Sequence, residues 1–225
     1  MARIRQSVLA SAVALATVAL VAPPASAATT TIRKGSATAD PYAGNVRASL
    51  LGNATVSTSL GGGSCNRSTM TGSVNSDGTG MTITQAAFTN DPGPACPGDT
   101  GSVTVTTQNL PWSGGGVVYD AAHTGGRDAV VTIANFRVRA VASILGGITC
   151  YYGGNLVANG YNPDNPNRPV TSVAQAQVGV NNATVARQSG GSFLCPSTAT
   201  VTATYTLQGE TAPGTFNQTL YVTGS

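Results

Sequence analysis

Polar and apolar positions alternate along this chain with a period of two. Val201, Ala203, Tyr205 and Leu207 are separated by Thr202, Thr204 and Thr206. Phe136, Val138 and Ala140 interleave with Asn135, Arg137 and Arg139, and Val103 and Val105 alternate with Thr104 and Thr106. Phe216, Gln218, Leu220 and Val222 mark a last segment of the same kind. Successive side chains of a strand point to opposite faces, so each segment predicts a strand with one face in a core and the other in water. Asp77-Gly78, between Met70–Val74 and Met81–Ile83, predicts a hairpin turn. Proline-rich 91–94 and 162–167 predict loops, and the glycine-rich stretch 113–128 reads as a long loop as well. No helical period is found beyond the N-terminus. Short strands with frequent turns predict an all-β fold: a single-domain antiparallel β-sandwich or barrel.

One apolar run breaks the alternation. Val8 to Ala22 is apolar except for Ser11 and Thr17, follows Arg3 and Arg5, and precedes the small residues Ala25-Ser26-Ala27. That order is a cleavable signal peptide over residues 1–27, leaving a secreted domain over 28–225. The run is too short for a spanning helix, which needs about 20 apolar residues. No transmembrane segment is expected in the mature form.

Charge then narrows the partners. The chain carries 11 basic and 8 acidic residues, but Arg3 and Arg5 leave with the leader, so the mature domain is almost neutral. Beyond Arg33-Lys34 no basic run exists, which argues against nucleic acid. Charged residues make up 8% of the chain, far below the usual ~25%. Thr, Ser, Asn and Gly supply the polarity instead, and β-branched Thr suits a pleated, solvated face. The Ala/Gly/Thr/Arg bias with a single lysine, Lys34, suggests a high-GC bacterium.

Four cysteines in an exported chain predict two disulfides. Cys65 is followed by Cys96-Pro97 and a Val/Thr strand; Cys150 is followed by Cys195-Pro196 and another. This doubled pattern favours Cys65–Cys96 and Cys150–Cys195, each closing its own half. We read it as an internal duplication; chance similarity in a Thr/Gly/Ala-rich chain is the rival reading. There is no C-x-x-C and only one histidine, so metal or thiol chemistry is not expected. No cofactor is expected either.

Few residues look catalytic. Asp99-Thr100-Gly101-Ser102 matches an aspartic-protease tetrapeptide, but no second copy exists to share a proton, and the segment reads as a turn. His123, with Asp120 or Asp128 and Ser113 upstream, could furnish a hydrolase, although no Gly-x-Ser-x-Gly elbow accompanies it. Trp112, Tyr119, Tyr151, Tyr152 and Tyr161 are candidates for a ligand-stacking surface. Tyr151 and Tyr152 are neighbours, so only one of them can face the core. Trp112 after Pro111 has a structural alternative as a ring capping a core edge.

The chain resembles exported bacterial proteins of the alkane-oxidation-activator-like group, some associated with the biofilm matrix, and uncharacterised secreted actinobacterial proteins. The residues that carry the likeness are Cys65 with Thr71-Gly72, the segment 81–88, Cys96, Leu110-Pro111-Trp112, Ile148-Thr149-Cys150 and Cys195. The resemblance implies an exported all-β protein of the surface or matrix and transfers no catalytic residue. The resulting expectation is a secreted, non-enzymatic protein associated with the cell envelope or extracellular matrix, partnered by a cell-wall or matrix polymer or by itself. A binding module for a glycan or apolar ligand, using Trp112 and Tyr151 or Tyr152, is the first alternative. A hydrolase around His123 is the second.

Overall fold

The computed structural model describes residues 29–224. The expected leader, residues 1–27, lies outside the described residues. Among the described residues thirteen strands form one antiparallel sheet. In chain order they are β1 (Thr30–Lys34), β2 (Gly44–Thr58), β3 (Gly61–Cys65), β4 (Arg67–Val74) and β5 (Met81–Thr89). Then come β6 (Cys96–Gly98), β7 (Gly101–Thr107), β8 (Trp112–Tyr119) and β9 (Ala129–Ala142). The last four are β10 (Ile148–Tyr161), β11 (Ala176–Arg187), β12 (Thr198–Ala212) and β13 (Thr215–Gly224). No helix among the described residues is long and apolar enough to cross a membrane.

The sheet closes on itself, which makes the architecture a barrel. β12 bonds to β2 as well as to β11 and β13, and β9 bonds to β8 as well as to β7 and β10. Strands β9 to β12 and β2 run the height of the wall. Between β2 and β9 the wall is built from two shorter patches, one above the other. The C-terminal half of β2 leads through β3, β6 and β7 to the C-terminal half of β9. The N-terminal half leads through β4, β5 and β8 to the N-terminal half of β9. Trp112 and Phe136 fill the level where the patches meet, ring centroids 4.9 Å apart, with Phe88 6.4 Å beyond Phe136.

The two ends of the barrel differ. At one end, here the lower, β13 leaves β12 after Gln208↔Thr219 and pairs with β1, from Thr30↔Gly224 to Lys34↔Leu220. This ribbon puts Ile32 and Leu220 into the core as a cap, with Val222 buried beside them. The upper end carries the β2–β3, β6–β7, β9–β10 and β11–β12 connections and has no such ribbon.

The expected strands appear where the alternation placed them. Phe136, Val138, Ala203 and Tyr205 are buried, and Asn75–Gly80 forms the turn between β4 and β5. The stretch 113–128 is a correction: 113–119 belongs to β8, and the loop is confined to 120–128. The glycines of β8 serve close approach. A Cβ on Gly115 would lie 2.5 Å from the Thr132 carbonyl oxygen and 2.8 Å from Met81 Cε. Both disulfides pair as expected, Cys65–Cys96 and Cys150–Cys195, with Cα–Cα separations of 4.8 and 5.7 Å. Their settings differ. The first joins paired strands β3 and β6, whereas the second ties the β11–β12 loop down to β10.

Candidate functional site

The five aromatic candidates do not share one face. Trp112 is 1% exposed, and its indole N–H donates to the Gln108 carbonyl at 2.8 Å. Tyr152 is also buried and donates to the Pro196 carbonyl. Its neighbour Tyr151 is half-buried with the Arg137 guanidinium over its ring, so the pair splits across the wall as strand geometry requires. Tyr119 stacks edge-on against His123 at the lower end. Tyr161 borders a lower cavity.

His123 sits in the 120–128 loop, half-exposed. Its Nε2 is 3.3 Å from the Tyr119 hydroxyl, and its Nδ1 is 3.3 Å from Asp128 Oδ1. The structure thus gathers His123 with Asp128 and a phenol. Ser113 lies at the other end of β8, six residues before Tyr119 and roughly 20 Å along the strand. The surrounding bonds hold the loop in shape. Asp120 accepts from Ala122, Thr124 and Arg127. Burial opposes ionisation of Asp120, but those donors outweigh it and hold the carboxyl below its usual range. Asp128 Oδ2 accepts from the Asn162 amide and the Asn165 side chain. Asn162 in turn bonds the Val222 backbone in both directions. The Pro/Asn loop therefore fastens the β1–β13 cap to the barrel.

A cavity with room for a ligand lies inside the upper half. This cavity, of about 190 Å³, reaches from the rim, at Thr58, Leu60, Thr100 and Ile144, down to Leu156 and Tyr205. Its wall comes from inward positions of the surrounding strands, among them Val56, Val105, Val138, Val185, Val201 and Ala203. Met70, Val180 and Tyr205 form the floor and also line a second cavity of about 90 Å³ beneath. The floor is tied by a 3.1 Å bond between the Tyr205 and Ser68 hydroxyls. Cys65, Cys96 and Cys150 all border the upper cavity, so both staples brace its walls.

Polar chemistry inside is closed off. Among the described residues no buried side-chain nitrogen or oxygen lacks a partner. Asp99, at the rim, accepts the Gly62 N–H at 2.7 Å. A sugar inside such a cavity would leave its hydroxyls unpaired, at a cost of about 1–3 kcal/mol each. An apolar group carries no such penalty. An apolar cavity of about 150 Å³ in a protein core stays dry and takes up benzene, so this one has room for a single ring or a short stretch of alkyl chain. Among the described residues no cluster of His, Cys, Asp and Glu is arranged to hold a metal ion.

Sequence reasoning named none of the inward valines and alanines as a site. Their only signal was strand alternation, which does not distinguish a filled core from a hollow one. No known protein family, curated protein or solved structure matches the chain.

Proposed function

We propose that the protein is a non-catalytic binding protein of the cell envelope or extracellular matrix that holds the apolar part of a ligand in the upper half of its barrel. The observation that carries this reading is the cavity, apolar along its wall and reaching the rim while the opposite end is capped. It keeps the apolar-ligand alternative raised by the sequence but moves it from the aromatic rings to the barrel interior. The disulfides favour an oxidising setting such as the cell exterior. A ligand here is chosen by width and length, because the walls offer no unmet hydrogen bond for orientation.

The test is to narrow the cavity without touching the rim. Ala203→Leu adds three carbons to a wall position that is 3% exposed. A fluorescent medium-chain fatty acid, kept below its micelle concentration, should bind the parent protein. Its affinity for the variant should be at least about tenfold weaker, because small-to-large changes occupy space the ligand needs. Thermal unfolding checks that the variant remains folded. Equal affinity for the two folded proteins would remove the reading.

A further inference from the structure

We propose that the upper rim docks on an electrically neutral lipid layer, from which the cavity draws its ligand. The inference rests on the cavity reading above. Three side chains carry it. Leu60 in the β2–β3 turn is 55% exposed, and Phe193 and Leu194 in the β11–β12 loop are 88% and 42% exposed. They stand on connections at the same end as the cavity mouth, and Leu60 itself lines it. The other exposed large apolar residues among those described, Val118 and Val157, lie on strands β8 and β10, away from this rim.

Charge selects the partner. The four upper connections (59–60, 99–100, 143–147 and 188–197) contain one charged residue, Asp99, and its carboxylate already accepts the Gly62 N–H. The lower connections hold Asp40, Asp77, Asp120, Arg127, Asp128 and Asp164, among others. The upper loops therefore make an apolar end poor in charge, and the lower loops a charged one. An anionic membrane attracts clustered Lys and Arg; the upper loops contain neither, and the two guanidiniums that reach them from the strands, Arg137 and Arg187, donate to the Ser189 and Cys195 carbonyls. Apolar heads on loop tips suit insertion among lipid headgroups, where binding scales with the apolar area buried. Docked this way, the mouth faces the layer, and an alkyl chain passes into the barrel without crossing water.

The experiment is sedimentation of the purified protein with phosphatidylcholine vesicles, alongside binding of the soluble fatty-acid probe. The variant is Phe193→Ser/Leu194→Ser, which leaves the cavity-lining Leu60 in place. The parent should sediment with the vesicles, and the variant at least about tenfold less. The variant should still bind the soluble probe within about twofold, which also shows that it is folded. A parent that binds the probe but ignores the vesicles overturns the docking proposal and leaves the cavity reading standing. A parent that sediments but does not bind the probe keeps the docking surface and removes the cavity reading. Undiminished sedimentation of the variant overturns the proposal. So does binding only to phosphatidylglycerol vesicles, or a parent dimer that the substitutions dissolve without any effect on vesicles.

Discussion

Tyr205 stands between the two cavities with its hydroxyl buried, and that position has a pH signature. Burial pushes the hydroxyl up to about 12, opposed only in part by its bond to Ser68. The unfolded chain releases this proton near pH 10, whereas the folded chain holds it. Stability contributed by the neutral hydroxyl is thus complete below about pH 10 and is lost as pH rises through about 12. A rise of about two pH units corresponds to about 3 kcal/mol. Burial raises Tyr42, Tyr152 and Tyr221 as well, which adds to the same slope. Urea midpoints measured from pH 9 to 12 should fall more gently for Tyr205→Phe than for the parent. Parallel curves would assign the alkaline loss elsewhere.

Among the strands, β4 and β5 approach so closely that one position has no room for a side chain. A Cβ on Gly72 would lie 1.9 Å from the Thr82 carbonyl oxygen, which is backbone and cannot swing aside. Gly72→Ala should therefore lower stability by about 3 kcal/mol, near the upper end of overpacking costs. An unchanged denaturation midpoint would contradict the contact. Strand identity was legible in the sequence wherever one face is buried and the other wet, as in β9, β12 and β13. It was not legible in β8, where Gly114 to Gly116 look like loop residues although β5 and β9 flank them on either side. Nor was it legible in β2, where Gly52-Asn53 interrupt the apolar alternation and two extra residues break the register against β12 between Thr202 and Thr204. The cavity was illegible for a different reason. It is a gap between residues remote in the chain, and each wall residue alone looks like ordinary core. The burial of Trp112 and the opposed faces of Tyr151 and Tyr152 did follow from local chemistry.

At the level of the whole barrel, the two ends are secured by different means. The lower end relies on the β1–β13 ribbon and the asparagine bonds beneath it. The upper end relies on the two disulfides. Loops of 31 and 45 residues give each staple about 4 kcal/mol in the chain-entropy account. Replacing either pair with serines should cost that order of stability. Amide exchange should then quicken in β3, β6 and the β11–β12 loop before it does in β1 and β13. Uniform quickening would show that the ends are not separately secured.

The pairing of β1 with β13 also sets an order of events. Thr30 meets Gly224, and the outer edge of β2 meets β12, so the earliest strands wait for the latest ones. A chain made from its N-terminus cannot complete this barrel before its last strand exists. β1 and one edge of β2 emerge with unpaired backbone and apolar faces, the condition in which chains most readily stick to one another. The seal forms only once residues near 224 are present to pair with β1.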